Sequence, residues 1–335
     1  MKRAAVFKYP DGAWRNVAAI GYASLGHALA IALLVGGGWL ARLIGVGLAA
    51  HTLLIAAYLV HECIHETIFR DRRWNARLGL LMAWLGDGAL AGYEWLRKKH
   101  LHHHLDRVDP LGFDYRVWLA QHPRGRRLVY GLEWAHVPAI ELLLRVVPVW
   151  RVIARASDRG ERGRVALVVG SRVVAALLLW TWSPLGAVLY GVAYLLFVVM
   201  ARFADAFHHT FELMVVDDYD HPYGPPGPSF DRAYEDANTF SNVLSRRRPW
   251  LNLLVLNFSY HNAHHVKPGI PWHRLPALDA QLFGGASPQC LPMPRLLADF
   301  HAFRLARLTA DQTIVSAADG SPRYVGAVAV SLLTV

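Results

Sequence analysis

The pentapeptide His61-Glu62-Cys63-Ile64-His65 lies where a long apolar segment ends and charged sequence begins. Residues four apart share one face of a helix, so His61 and His65 can present two imidazoles to a common point. Comparable helical spacings recur in two further groups, which are His100, His103 and His104, and His261, His264 and His265. A fourth group, His208-His209, follows another apolar run. The sequence therefore predicts a membrane scaffold that carries a histidine-rich metal site.

The composition also points to a membrane protein. The chain has 335 residues, of which 54% are hydrophobic, above the roughly 45–50% usual in soluble domains. Its formal charge of +10 comes from basic residues beside apolar runs, where membrane topology and anionic headgroups explain them. No nucleic-acid-binding module is recognisable, so we expect no nucleic-acid partner. Cys63 and Cys290 predict no disulfide framework.

Four apolar stretches are long enough to cross a bilayer, which needs about 20 helical residues. They cover residues 17–36, 40–60, 165–182 and 185–203. Four crossings leave the N-terminus, residues 61–164 and residues 204–310 on one face. Because basic residues are concentrated in 61–164, this face is predicted to be cytoplasmic. We expect a multi-pass integral membrane protein with its active site on that side, in the inner membrane if the source is bacterial.

The predicted fold is all-α, with four transmembrane helices and a cytoplasmic helical cap that holds a di-metal site. Residues 1–310 are assigned to a single domain, and residues 311–335 to a tail of unknown role. Polar residues interrupt the apolar pattern of Leu78–Leu96, so we expect a re-entrant or interfacial helix there rather than a full span. Val129–Ile153 is also expected to be interfacial.

Three further segments give weaker signals. Asp217–Pro228 is rich in proline and glycine and predicts a loop. Val325–Val335 is apolar but too short to cross a bilayer, so we expect it to be peripheral or disordered. Glu235–Asn242 contains no motif that predicts a role.

The identity of the metal depends on the number of ligands. His61-Glu62-Cys63-Ile64-His65 alone fits the H-E-x-x-H zinc-protease pattern, with Glu62 as general base. A catalytic zinc, however, needs three protein ligands and one open position. The first three groups, called here the first, second and third histidine boxes, supply eight histidines, and His208 or His209 supplies another. This number favours two metals, although imidazole itself suits iron, copper and zinc alike.

The order H-x-x-x-H, H-x-x-H-H, H-x-x-H-H resembles the membrane fatty acid desaturase and hydroxylase superfamily, and His61–His65 is similar to the H-E-C-G-H box of acyl-lipid desaturases. The resemblance covers about 54–276 and implies two non-haem irons near the cytoplasmic membrane face. It implies one further ligand after the fourth span, assigned to His209 with His208 as its neighbour. The implied ligand set is His61, His65, His100, His103, His104, His209, His261, His264 and His265.

Carboxylates lie between the boxes, and each has two interpretations. They can orient ligand imidazoles through the second ring nitrogen, or they can form salt bridges with neighbouring arginines. The candidates for positioning the ligands are Glu62, Asp106, Asp109, Asp205 and Glu212, together with His208.

The resemblance implies oxygen chemistry on a fatty acyl lipid or a free fatty acid. An alkyl C–H bond offers no acidity or electrophilicity to a side chain, so its removal needs a metal-bound oxidant made from O₂. Desaturation is the leading outcome, while hydroxylation and oxidative decarboxylation to a terminal alkene use the same ligand pattern. A membrane zinc protease and a non-catalytic metal-binding protein are the more distant alternatives.

Substrate and electron-donor contacts are expected near the second box. Tyr93 and Trp95 could line an acyl tunnel or anchor the chain at the membrane interface. Arg97 and Lys98 could bind an anionic headgroup or guide an acidic electron donor. Because no stretch is left for a fused cytochrome b5, the resemblance implies a separate donor, such as a ferredoxin with its reductase.

Overall fold

The computed structural model describes residues 6–86, 88–154, 159–215, 230–284, 289–310, 313–316 and 320–328. The described chain is mostly helical, as predicted. Its α-helices are Ala13–Gly36 (α1), Trp39–Ile64 (α2), Arg72–Leu85 (α3), Tyr93–Asp106 (α4), Tyr115–Gln121 (α5), Pro123–Trp134 (α6), Ala139–Ala154 (α7), Arg159–Trp182 (α8), Pro184–Asp205 (α9), Arg232–Asn238 (α10), His261–Val266 (α11), Leu275–Phe283 (α12) and Met293–Ala302 (α13). Short 3₁₀ helices cover Pro10–Gly12, Gly88–Leu90, Pro249–Val255, Trp272–Arg274 and Ala306–Leu308.

Four short strands, which the sequence analysis did not predict, complete the description. They are Val108–Leu111 (β1), Glu212–Val215 (β2), Ile314–Ser316 (β3) and Pro322–Tyr324 (β4). The chain divides into two compact units, the first formed by 1–93 and 145–200 and the second by 94–144 and 201–335. The single domain assigned to 1–310 stays a prediction. The predicted loop at Asp217–Pro228 lies outside the described residues.

Within the described residues, four helices are long and apolar enough to cross a membrane, as the sequence predicts. They cover Pro10–Gly36, Trp39–Ile64, Arg159–Trp182 and Pro184–Asp205, a few residues longer than the predicted stretches. Between α1 and α2 the chain turns at Gly37. A Cβ there would lie 2.5 Å from the carbonyl oxygen of Leu33, so only glycine permits this close approach.

The turn between α8 and α9 is set by Ser183-Pro184. The hydroxyl of Ser183 accepts a hydrogen bond from the backbone N–H of Gly186 at 3.0 Å, and Pro184 begins α9. A serine cap followed by proline at the first helical position is a favourable start for a helix. The local sequence therefore separates these two apolar helices at the predicted place.

Each of the two segments predicted to lie at the membrane interface contains two helices. Over Leu78–Leu96, α3 ends at Leu85 and α4 begins at Tyr93. Over Val129–Ile153, α6 ends at Trp134 and α7 begins at Ala139. His136, directly after the C-cap residue of α6, has a φ of +59°, and a left-handed residue at this position ends an α-helix. The interfacial position of both segments stays a prediction.

In the second unit, strand pairing joins the segments that follow two of the histidine groups. β1 directly follows α4, β2 follows His209, and the two strands pair in parallel with Val108 opposite Glu212. The end of α9 is held by Arg202, which is buried and bonds to the carboxylates of Glu133 and Glu141. Paired and hydrogen-bonded charges of this kind are strongly unfavourable to separate, so the chain enters His208-His209 from a fixed position.

The C-terminal residues that the structure describes are built into the second unit. Val325 and Val328 are 3% and 1% exposed, and Val328 belongs to a core that includes Tyr115 and Ile140. The expectation that this apolar stretch is peripheral or disordered was therefore wrong for 325–328, because burial of its valines stabilises the folded position. Residues 329–335 lie outside the described part.

Candidate metal centre

Four buried histidines of the second unit converge and are named here the four-histidine cluster. His103 comes from α4, His209 from the segment after α9, and His261 and His265 from α11, and one ring nitrogen of each lies within 4.8 Å of the others. The Nε2 atom of His209 is 3.1 Å from Nε2 of His103 and 2.7 Å from Nε2 of His261.

A three-histidine cluster, formed by His100, His104 and His264, lies beside it in the same unit. Its ring nitrogens also fall within 4.8 Å of one another. Nε2 of His104 is 3.1 Å from Nε2 of His100 and 3.1 Å from Nε2 of His264. The ring centroids of His104 and His265 are only 4.2 Å apart, so the two clusters are neighbours.

The second histidine box (His100, His103 and His104) and the third (His261, His264 and His265) each contribute to both clusters. The sequence analysis had treated each box as one group. The pair His100 and His104 lies four residues apart and serves the three-histidine cluster, while His261 and His265 serve the four-histidine cluster. Consecutive histidines are separated, because successive residues on a helix point about 100° apart. His103 and His104 therefore face different clusters, as do His264 and His265.

The second ring nitrogens of two cluster members are held by buried carboxylates. Nδ1 of His103 is 3.0 Å from Oδ1 of Asp109 and 3.0 Å from the carbonyl oxygen of Val108. Nδ1 of His265 is 2.9 Å from Oε1 of Glu235. Since these partners only accept hydrogen bonds, each Nδ1 must carry the proton and each Nε2 presents a lone pair.

Burial keeps His209, His261 and His265 in their neutral form. Loss of solvation, followed by repulsion from neighbouring histidines, lowers the pKa of His209, His261 and His265 well below the usual 6.5. Neutral imidazole is the form that binds metals.

The arrangement fits a bound metal ion. Within the described chain, Nε2 of His265 is buried and has no hydrogen-bond partner. Lone pairs that face one another without a donor are unfavourable, since a buried acceptor loses its hydration and gains no bond. A divalent cation at the point where the ring nitrogens meet would satisfy all of them, and the two adjoining clusters could hold a di-metal site.

The structure separates the roles of the two adjacent histidines after α9. Nε2 of His208 lies 2.9 Å from Oδ1 of Asn242, and its ring stacks on His261 with centroids 4.0 Å apart. His209 instead faces His103 and His261. This geometry favours the assignment of His209 as the ligand and places His208 behind it.

The segment Glu235–Asn242, which showed no motif in the sequence, connects much of the site. Glu235 bonds to His265 and Asn242 to His208. Residue 239 pairs its backbone with residue 209. Asn262, inside the third box, donates to the carbonyl of Thr239 at 2.6 Å. The only hint in the sequence was indirect, since each ligand imidazole needs an acceptor for its second nitrogen.

The carboxylates of Asp106, Asp205 and Glu212 have different surroundings. Asp106 lies 2.6 Å from Nδ1 of His102, which is not in either cluster. Asp205 approaches Nδ1 of His208 at 3.8 Å. Glu212 lies exposed on β2, and none of the contacts shown for the described residues joins its carboxylate to a cluster. Among the contacts shown for the described residues, Asp109 is the predicted carboxylate of the second unit that holds a cluster histidine.

His61 and His65 lie in the first unit, in the last turn of α2 and directly after it. Their ring centroids are 4.6 Å apart. Oε1 of Glu62 is 3.5 Å from Nδ1 of His61, and the hydroxyl of Thr67 donates to the Glu62 carboxylate. The Glu62 carboxylate is therefore held between the His61 ring and the Thr67 hydroxyl.

The residues predicted to contact the substrate differ in burial. In the first unit, Tyr93 is buried and packs so closely on Gly79 that a Cβ there would clash with its ring. In the second unit, Lys98 is exposed and Arg97 half-buried. Nζ of Lys99 lies 5.6 Å above the Trp95 ring. Tyr93 therefore stabilises the start of α4, and Lys98 remains accessible.

The fold and the site define a class of protein, a helical chain with four potential membrane spans and histidine clusters suited to two metals. The chain belongs to the fatty acid desaturase family, whose sequence model matches residues 37–296. It is also similar to a fatty acid desaturase of Bacillus subtilis (strain 168), with 23% identity over 254 residues. That alignment covers 68% of this chain and 65% of the relative, so the chain spans slightly less than two thirds of the relative's length.

Proposed function

We propose that the protein is a membrane-bound, oxygen-dependent, non-haem di-iron enzyme that introduces a double bond into a fatty acyl chain. The observation that carries this proposal is the convergence of seven imidazoles in two adjoining clusters of a chain from the desaturase family. Imidazole suits iron, and the C–H bonds of an acyl chain require an oxidant of this kind.

The ligand set divides between two ions. The four-histidine cluster would hold one ion and the three-histidine cluster the other. We propose that His61 and His65 of the first unit also act as iron ligands. Their helical spacing and the match of the family to this region support the assignment.

Bound in these clusters, reduced iron would supply the oxidant by reducing O₂. The chain's own residues provide the setting. Burial of His209, His261 and His265 keeps water away and the imidazoles neutral. Asp109 and Glu235 hold the protons on the outer nitrogens of His103 and His265, which fixes the tautomer that can bind metal.

The substrate and the electron donor follow from the membrane setting. A site on a chain with four apolar helices would receive fatty acyl lipids or free fatty acids from the bilayer. The concentration of basic residues in 61–164 supports a cytoplasmic site. Electrons would come from a separate protein, such as a ferredoxin with its reductase, and exposed Lys98 suits the docking of an acidic donor.

Lipid analysis of cells that express the chain tests the reaction. Mass spectrometry should show a new unsaturated fatty acyl product that disappears in a His209→Ala variant. The matched variant His208→Ala should retain part of the activity, because His208 lies behind the cluster. Alcohols or terminal alkenes in place of unsaturated chains would favour hydroxylation or decarboxylation, and full activity of His209→Ala would contradict the site.

A further inference from the structure

The last described residues form a structure with no role in the family resemblance. Residues 313–316 and 320–328, named here the C-terminal strap, lie beyond the matched region 37–296. Its strands β3 and β4 pair antiparallel, with Ile314 opposite Tyr324. The backbone N–H groups of Val325 and Gly326 both donate to the carbonyl of Thr313, at 2.8 and 3.2 Å.

One anchor of the strap is Asp299 on α13, which is 1% exposed. Its Oδ1 accepts a hydrogen bond from Nε of Arg323 at 2.6 Å, and its Oδ2 accepts one from the backbone N–H of Tyr324 at 2.8 Å. A buried carboxylate with both oxygens bonded is strongly unfavourable to release. The strap is therefore fixed at this point.

The second anchor lies against the chain just before the His209 ligand. The backbone N–H of Ala327 donates to the carbonyl of Ala206 at 2.8 Å. A Cβ on Gly326 would lie 2.9 Å from Cε1 of Phe207 and 3.1 Å from the oxygen of Ala206. The strap thus touches 206–207 so closely that only glycine fits between them.

The opposite side of this segment is also held. The backbone N–H of Thr210 donates to the carbonyl of Asn238 at 3.0 Å, and that of Phe240 donates to the carbonyl of His208 at 2.7 Å. Residues 206–210 therefore lie between the strap and residues 238–240. Strap residues Tyr324 and Gly326 also line a small cavity together with His209.

We propose that the C-terminal strap is a positioning device that fixes 206–207 and so holds His209 in the four-histidine cluster. This role rests on the proposed function, since it concerns a ligand of the proposed iron centre. Metal affinity is sensitive to the groups that orient a ligand, and loss of such a group typically weakens binding about 10–100-fold.

Two glycines of the strap provide a matched test. Gly320 and Gly326 have nearly equal positive φ values, +77° and +79°, so alanine strains the backbone similarly at both. A Cβ on Gly320 meets nothing within 4 Å, whereas one on Gly326 meets residues 206 and 207. Gly326→Ala should therefore displace the ligand segment, and Gly320→Ala should not.

The full-length variants are compared by ferrous-iron titration and by hydrogen–deuterium exchange of the amides in 206–210 in the metal-free protein. We expect Gly326→Ala to weaken binding of one iron about 10-fold and to speed exchange in this segment, while Gly320→Ala changes neither. Arg323→Gln, which loosens the strap at Asp299 without adding a group beside Phe207, should move both readouts in the same direction by less.

The outcomes separate this proposal from the proposed function. If Gly326→Ala and Gly320→Ala behave alike in both measurements, the strap has no positioning role. If the unsubstituted protein binds no iron, the proposed function fails, and the exchange measurement alone then decides whether the strap fixes 206–210. Unchanged exchange in Gly326→Ala would overturn the strap proposal in that case also.

Discussion

The two histidine clusters of the second unit differ in how their members are held. In the four-histidine cluster, all four rings are buried, and Asp109 and Glu235 fix the outer nitrogens of His103 and His265. His209 is further held by backbone pairing to residue 239. The three-histidine cluster draws on two helices only, and His104 is only partly buried.

This difference indicates that one cluster is pre-organised and the other needs additional ligands. Four imidazoles already form a sufficient ligand set within one unit. Three imidazoles leave more of an ion's coordination positions unfilled. We therefore expect the four-histidine cluster to bind its ion more tightly, because less side-chain freedom is lost on binding.

Single substitutions of the adjacent histidines His264 and His265 should have the largest effect on the two clusters. His265→Ala removes a ligand from the four-histidine cluster and His264→Ala removes one from the three-histidine cluster, so each variant should lose one iron and all activity. The iron that remains in His264→Ala should be held more tightly, by about 10-fold or more, because it lies in the pre-organised cluster. Titration with a competing chelator measures this, and equal affinities would contradict the difference.

Removal of a carboxylate that orients a ligand should have a smaller effect, on the iron affinity of one cluster. Glu235→Ala leaves Nδ1 of His265 without its acceptor and should weaken iron binding at the four-histidine cluster by about 10–100-fold. Glu212→Ala is the control, because Glu212 is an exposed acidic residue on β2. Iron titration of both variants checks the prediction, which fails if they bind iron equally well.

The smallest of the expected effects is a loss of stability of the metal-free protein in acid. Burial lowers the pKa of His208 from 6.5 to about 4 and lowers those of His209, His261 and His265 well below 6.5. Between these values the unfolded chain binds protons that the folded chain does not. The stabilisation is therefore complete above about pH 6.5 and is lost as the pH falls toward 4.

The temperature of unfolding in detergent, measured from about pH 7.5 to 5, checks this dependence. His208→Gln removes one titrating group and should flatten the curve. A melting temperature that is independent of pH over this range would contradict the lowered pKa values.

The apolar helices and the box histidines were predictable because each obeys a local rule. A bilayer requires long apolar helices, and the turns at Gly37 and Ser183 are encoded by adjacent residues. The i, i+4 spacing placed His100 with His104 and His261 with His265. The separation of His103 from His104 follows from the same helical geometry, although the sequence analysis grouped them together.

The partners that hold the cluster were not predictable from spacing. Glu235 reaches His265 across 30 residues and Asn242 reaches His208 across 34, and each contact joins single atoms on irregular or very short elements. Asp106 and Glu212 lie near the boxes in sequence, yet none of the contacts shown for the described residues joins either carboxylate to a cluster. Such contacts arise from tertiary folding, which imposes no period on the sequence.

Metal analysis of the purified protein tests the central claim most directly. We expect about two irons per chain in the unsubstituted protein, bound by the two clusters, and about one in His265→Ala. A single zinc per chain, or an iron content that His265→Ala leaves unchanged, would contradict the assignment of these histidines to a di-iron centre.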